Sequence, residues 1–215
     1  MQSENRSFIN IIPPVTRHLL IINVIVWLAT VVLRRYDIYL ERWLALFFWQ
    51  DSYFNVAQPF TYMFMHDAHS FVHIFFNMFS LWMFGGLLER VMGSKRYLIY
   101  YIVCGLGAAL VQELMWQFSL QEIVPTVGAP GAVFGILLAF GMIFPNMPMY
   151  IFFIPVPIKA KWVVIGYGLL ELYFGISGNQ PGVAHFAHLG GMLAGIIMMM
   201  YWRHNGTLKR GNGYY

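Results

Sequence analysis

Histidines set at helical spacing are the residues of this sequence that could do chemistry. His73 and Asn77 are four residues apart, and His185 and His188 are three apart. Residues with these spacings lie on one face of a helix, one turn from each other. An Asn amide in such a pair is a neutral donor that could hold an oxyanion, and the alternative is an interhelical hydrogen bond.

The composition indicates where these histidines sit. Of the 215 residues, 59% are hydrophobic and 10% are charged, whereas a soluble domain of this size carries about 25% charged residues. Such a surface cannot face mostly water. The basic pI of about 9.2 could suggest a nucleic-acid partner, but the basic residues cluster at the ends of apolar segments, which is typical of membrane topology. We expect a single-domain integral membrane protein in the lipid bilayer, without a nucleic-acid partner.

Apolar segments of about 20 residues can cross a bilayer as helices. Six segments qualify: His18–Leu33, Phe71–Leu88, Tyr97–Gln117, Pro130–Phe144, Trp162–Gly175 and Val183–Arg203. The fifth segment is the weakest because it is short and contains Glu171. The Met149–Ile158 stretch contains two prolines, Pro155 and Pro157, and is interpreted as a re-entrant or interfacial connector. The predicted fold is an all-α membrane protein, a bundle of six transmembrane helices.

The distribution of positive charge predicts the orientation of this bundle. With six spans, ten basic residues fall on the side of the termini (Arg6, Arg17, Arg90, Lys95, Arg96, Lys159, Lys161, Arg203, Lys209, Arg210) and three on the other side (Arg34, Arg35, Arg42). Cytoplasmic loops carry the excess of Lys and Arg. Residues 1–17 and 204–215 are therefore predicted to be cytoplasmic and residues 18–203 to form the membrane domain. The compact form indicates a bacterial cytoplasmic membrane.

The segment from Arg34 to Ser70 is long for a connection between helices. Its central part, from Trp43 to Trp49, is apolar and aromatic, and Trp residues favour the membrane–water interface. Connections of this length are often functional. We expect a long first outer loop that lies in the interface.

Two pairs of glycines predict which helices approach each other closely. Gly191 and Gly195 form a small-xxx-small pair in the sixth segment, and Gly131 and Gly135 form a matching pair in the fourth. Such pairs let helix backbones come together. Contact between these segments would bring the start of the fourth helix close to His188.

Taken together, these patterns resemble the rhomboid family of intramembrane serine proteases over about residues 58–203. The matching motifs are His73-x-x-x-Asn77, Gly85-x-x-x-Glu89-x-x-x-Gly93, Gly128-Ala129-Pro130-Gly131 and Ala187-His188-x-x-Gly191-x-x-x-Gly195. Each motif is weak alone, but their order and helix positions fit the family. The outer-loop Trp-Arg pair of the family is replaced here by Ala57-Gln58.

The resemblance implies a mechanism and its residues. A serine in Gly-x-Ser-Gly would attack the peptide carbonyl of a substrate transmembrane segment, with His188 as general base. The oxyanion would be held by the serine N–H with His73 and Asn77, and Phe134 would stack on the base. The family uses a Ser-His dyad, without the third member that orients the histidine in a triad. It implies transmembrane segments as partners and no cofactor.

Pro130 occupies the position of that serine. Proline provides no hydroxyl for the attack and no backbone N–H for the oxyanion. It suits the first position of a helix, where the N–H has no intrahelical partner anyway, so the fold should tolerate it. The other hydroxyl residues near the predicted site are poorly placed to replace the serine: Thr126, Ser80, Ser119 and Ser177.

The sequence leaves three functions open. The chain is a rhomboid serine endopeptidase scaffold that is inactive as written, a pseudoprotease that binds membrane clients without cutting them, or a histidine-ligated membrane metalloenzyme. The third hypothesis rests on His69-x-x-x-His73 and His185-x-x-His188, with Asp67 as the only carboxylate near them, and leaves the glycines unexplained. Pro130 itself has three possible origins: natural, engineered or a one-base error.

Overall fold

The protein is mostly helical, and the structure, a computed structural model, describes residues 12–118, 120, 123–150, 155–179 and 183–207. Its elements are α1 (Pro14–Arg34), α2 (Glu41–Leu44), α3 (Gln58–Thr61), α4 (Phe71–Ser80), α5 (Gly86–Met92), α6 (Ser94–Gln117), α7 (Pro130–Ile143), β1 (Pro148–Met149), β2 (Ile158–Lys159), α8 (Ala160–Ser177) and α9 (His185–His204). Each of the six apolar segments overlaps a helix. Among the described residues, α1, the continuous Phe71–Met92 helix and α6 are long and apolar enough to cross a membrane, and α7 is a shorter apolar helix.

The first helix begins four residues earlier than the sequence predicts. It starts at Pro14 rather than His18, with Pro13 as the preceding residue. Proline is favoured in the first helical turn because its missing N–H would be unpaired there and its φ is already helical. The remainder of the predicted cytoplasmic N-terminus, residues 1–11, and the tail from 208 onward lie outside the described residues.

The connection between α1 and α4 folds back onto the helices. Leu46 and Thr126 form an antiparallel bridge with two backbone hydrogen bonds of 2.9 Å. Gln58 is fully buried; its Nε2 donates to the Tyr53 carbonyl at 2.8 Å, and its Oε1 accepts from Phe47 N–H at 3.3 Å. Gln58, one of the two residues that depart from the family pair, therefore holds this segment together.

A π-helical turn joins α4 to α5. Residues Leu81–Gly85 form this turn within one continuous helix. Below it, the Glu89 carboxylate accepts hydrogen bonds from the backbone N–H groups of Val15 and Thr16, at 2.9 and 2.7 Å, and from the Ser94 hydroxyl at 2.6 Å. A carboxylate suits this place because the first N–H groups of a helix lack intrahelical partners and carry partial positive charge. Glu89 thereby joins the start of α1 to the rest of the bundle.

The two ends of the connector after α7 pair with each other as short antiparallel strands. Pro148 pairs with Lys159 and Met149 with Ile158 in antiparallel register. Residues 151–154, in the middle of the predicted re-entrant segment, lie outside the described residues.

Helices α6, α7 and α9 form the centre of the bundle. A Cβ placed on Gly191 of α9 would overlap the Gly131 carbonyl group of α7, so the two backbones touch. A Cβ on Gly135 would lie 2.7 Å from the Cβ of Cys104, a buried free thiol of α6. The Tyr100 hydroxyl donates to the Gly135 carbonyl at 2.8 Å. Backbone contact of this kind supports helix association in lipid, where hydrophobic burial gives little driving force.

The Gly191→Leu variant should not assemble, because its side chain would occupy the space of the α7 backbone. We expect loss of monodisperse protein in detergent, or a fall in stability of at least about 3 kcal/mol, typical of severe overpacking. Gly166→Leu is the matched control, since a Cβ at Gly166 of α8 meets nothing within 4 Å. Thermal unfolding in detergent measures both, and a wild-type melting temperature for Gly191→Leu would contradict the contact.

Candidate functional site

The backbone just before α7 lies so close to its neighbours that position 128 requires glycine. Gly128 has a φ of 115°, which side chains rarely adopt, and its N–H donates to the Tyr62 carbonyl at 3.0 Å. A Cβ there would lie 2.6 Å from Pro130 Cδ and 3.0 Å from the His73 ring. Pro130 is the first residue of α7, as predicted. The His73 imidazole thus lies against the loop that presents Pro130.

His188 lies in the first turn of α9, where its ring stacks on Phe134 of α7. The two ring centroids are 4.5 Å apart and the planes are nearly parallel, at 7°. A Cβ on Gly131 would lie 3.3 Å from the Ala187 carbonyl oxygen, so the backbone contact of the two helices continues up to His188. The imidazole is buried, and the stack fixes the plane of its ring.

Glu171 of α8 is the residue of the site that sequence analysis missed. Its Oε2 lies 2.8 Å from Nδ1 of His188 and 2.7 Å from Nδ1 of His185. The resemblance implies a histidine without a third member, whereas in this chain a carboxylate lies at Nδ1 of His188. A bond at Nδ1 leaves Nε2 as the ring nitrogen of His188 that can act on a ligand, as in a Ser-His-Asp triad. The available signal was an acidic residue in an apolar helix, which is costly unless it is used.

His73 and Asn77 lie one turn apart on α4, and both line a cavity that Pro130 and His188 also line. The Ser70 hydroxyl accepts from the His73 backbone N–H at 3.2 Å and caps the helix. The Asn77 side-chain amide donates to the His73 carbonyl at 2.9 Å. The Asn77 side chain carries two N–H groups, one of which is thus used within its own helix.

A cavity of about 1180 Å³ joins these residues. His73, Asn77, Pro130, Phe134 and His188 all line it. Its walls include apolar side chains of α4 and α8: Val72, Phe76, Phe79, Val163, Tyr167 and Phe174. The cavity is therefore largely apolar. The side chains of His73, Asn77 and His188 form its polar end, where α4, α7 and α9 meet.

The sequence matches the Rhomboid domain family over residues 53–205, most of the chain and every site residue described above. The chain belongs to the rhomboid family. Among its relatives, Rhomboid protein 1 of Saccharomyces cerevisiae mitochondria is 30% identical over 61% of this chain and 38% of its own length. RHOMBOID-like protein 4 of Arabidopsis thaliana is 30% identical over 66% of this chain and 34% of its own. Rhomboid protease GlpG of Salmonella choleraesuis is 29% identical over 86% and 62%.

This rhomboid is an integral membrane protein, as the family and the apolar helices predict. It spans less than two thirds of the length of these relatives.

His66, in the connection before α4, is a buried titratable residue of this rhomboid. It is fully buried, and its ring centroid is 5.3 Å from that of His73. Burial, with a smaller contribution from His73, lowers the pKa of His66 to about 3. The residue is neutral in the folded protein at physiological pH, so that acidification favours the unfolded chain.

Stability should therefore fall as the pH drops below about 6.5, where His66 of the unfolded chain binds a proton that the folded chain excludes. Between pH 7 and pH 5, this residue contributes a loss of about 2 kcal/mol. His66→Gln should show a correspondingly smaller loss of unfolding free energy over that interval, whereas the exposed His69, as His69→Gln, should behave as wild type. Equal pH dependence in wild type and His66→Gln would contradict this assignment.

Proposed function

We propose that this rhomboid binds transmembrane segments of client membrane proteins in its cavity and does not hydrolyse them. The observation that carries the proposal is Pro130, which lines the cavity together with His73 and His188 and occupies the position where the resemblance places the nucleophile. Relatives named as rhomboid proteases support a transmembrane segment as the ligand. The proline supports binding without cleavage.

The chemistry argues against a covalent step at Pro130. A prolyl ring provides no oxygen to attack a carbonyl, and its nitrogen bears no hydrogen to hold the oxyanion. Loss of one oxyanion donor alone costs on the order of 10²–10³ in rate. His188, proposed as the general base, therefore has no hydroxyl at position 130 to deprotonate, while His73 and Asn77 are proposed as donors that hold a client carbonyl.

The size and lining of the cavity suit a helical or unwound peptide. A helix with its side chains is about 10 Å across and rises about 5.4 Å per turn, so one turn occupies about 400 Å³. The cavity volume of about 1180 Å³ equals that of two to three such turns. Apolar walls from Phe76, Phe79 and Phe174 match apolar client side chains, and the polar end offers partners to backbone carbonyls exposed by unwinding.

The membrane arrangement that we propose has six spans. Helices α7, α8 and α9 cross the bilayer together with α1, the Phe71–Met92 helix and α6, and the 35–70 connection lies in the outer interface. Exposed Trp43 and Trp49 support this placement. The excess of basic residues on the side of the termini supports cytoplasmic ends for a membrane domain of residues 18–203, in a bacterial cytoplasmic membrane.

Client binding is tested by photo-crosslinking. With p-benzoylphenylalanine at Phe76, a cavity residue of α4, we expect a single-span reporter segment to crosslink several-fold more strongly than with the same group at Ile25. Ile25 is the matched control because it is exposed, at 59%, on α1 and does not line the cavity. Equal crosslinking at both positions would indicate lipid-phase collision and overturn the proposal.

Cleavage is tested by restoring the nucleophile. The stacked Phe134–His188 pair and Glu171 favour a second candidate function, serine endopeptidase, once a hydroxyl is present. We expect Pro130→Ser to cleave the reporter and the unmodified chain to leave it intact. Pro130→Ala restores the N–H without the hydroxyl and should remain inactive. Adding His188→Ala to Pro130→Ser should lower the rate by at least about 10³. Cleavage by the unmodified chain would overturn the proposal.

A further inference from the structure

Glu171, His185 and His188 form a cluster that serine chemistry explains only in part, since it accounts for the Glu171–His188 pair and not for His185. A triad needs one carboxylate on one imidazole, whereas here a single oxygen, Glu171 Oε2, meets Nδ1 of both histidines, at 2.7 and 2.8 Å. The three donor atoms lie within 4.8 Å of one another. In this chain a proline occupies the position of the serine that His188 would deprotonate. The His188–Glu171 pair therefore has no hydroxyl to activate.

We propose that these three residues form a binding site for a divalent transition-metal ion such as Zn²⁺. Two imidazole nitrogens and one carboxylate oxygen are a common zinc ligand set. Ligand atoms at about 2.0–2.1 Å from a tetrahedral ion lie about 3.3 Å apart. To reach this spacing, each of the two distances from Glu171 Oε2 to an imidazole nitrogen, now 2.7 and 2.8 Å, would lengthen by roughly half an ångström.

The packing of α8 against α9 supplies the preorganisation that such a site needs. A Cβ on Gly175 of α8 would lie 3.4 Å from the Cβ of His185, so the two helices are close one turn from Glu171. The Phe134 stack fixes the His188 ring, and Phe174 lies beside His185 with ring centroids 5.7 Å apart. One helix thus presents two histidines, three residues apart, to a carboxylate of the neighbouring helix.

The charge of the cluster also favours a cation. Glu171 lies roughly 9 Å, or nearly two turns, inside the end of α8, and a carboxylate at this depth is costly without a positive partner. The partners of Glu171 among the described residues are the two imidazoles, neither of which is a permanent cation like Lys or Arg. A divalent ion would balance the carboxylate and use both nitrogens.

Access and an open coordination position complete the site. His185 and His188 both line the large cavity, which gives an ion a route to the cluster. Three protein ligands leave a fourth tetrahedral position for water or another small donor. The pair His69 and His73 is a separate candidate for metal binding, because the site inferred here uses the carboxylate of Glu171. The inference does not depend on client binding.

Metal binding is measured on the full chain in detergent after chelator treatment and buffer exchange. Titration with Zn²⁺ against a chromophoric chelator should give about one equivalent per chain, and Co²⁺ should give the visible absorption of a tetrahedral complex. Ca²⁺ and Mg²⁺, which prefer oxygen ligands, should not compete. Glu171→Gln and His188→Gln should weaken Zn²⁺ binding by at least about 100-fold, since even outer-shell changes cost about 10–100-fold.

His69→Gln is the matched control, as His69 is an exposed histidine of the outer loop, and it should bind like wild type. Zn²⁺ should raise the melting temperature of wild type and His69→Gln but not of Glu171→Gln, a comparison that holds even where a variant is less stable. Absence of bound metal in wild type would overturn the proposal and leave a hydrogen-bonded cluster. Binding that survives in Glu171→Gln and is lost in His69→Gln would also overturn it. Reporter crosslinking of chelator-treated protein tests client binding separately.

Discussion

The backbone contact between α7 and α9 is the constraint on which the site depends. Because Gly131 and Gly191 have no side chains, the two helices approach until backbone atoms touch, and this distance fixes where the first turn of α9 lies relative to the first turn of α7. His188 can stack on Phe134 only at that separation. The cavity, the polar end and the cluster with Glu171 all follow from an interface that lipid alone would not create.

A second constraint holds the opposite end of the bundle. Glu89 accepts hydrogen bonds from the first N–H groups of α1 and from Ser94 at the start of α6. One carboxylate thus joins three helices, α1, α5 and α6, and its buried charge is stabilised by several donors. At the other end of the same helix, the hydrogen bonds described for α4 are local, since the Asn77 amide donates to the His73 carbonyl and the Ser70 hydroxyl caps the first turn.

Much of this arrangement could be predicted from local sequence, and the rest depends on distant pairings. Pro130 at the first position of α7 follows from the geometry of proline, and the four-residue spacing from Pro130 places Phe134 one turn along the same face. Glu171 could not be interpreted this way. Within its own helix it only weakens an apolar pattern, and its partners lie 14 and 17 residues further along the chain. Glu89 is similar, because its two partners in α1 lie 73 and 74 residues away, although Ser94 is close in sequence.

The π-helical turn at Leu81–Gly85 has a consequence for comparing this chain with others. An α-helix turns about 100° per residue, and a π-turn accommodates one additional residue, so the two halves of the helix keep a common phase only because that residue is present. His73 and Asn77 above the turn and Glu89 below it are thereby presented to the same side. An alignment that treats the helix as regular would be out of phase by one residue beyond Gly85, and because one residue corresponds to about 100° of rotation, it would match Glu89 to a different face of the helix.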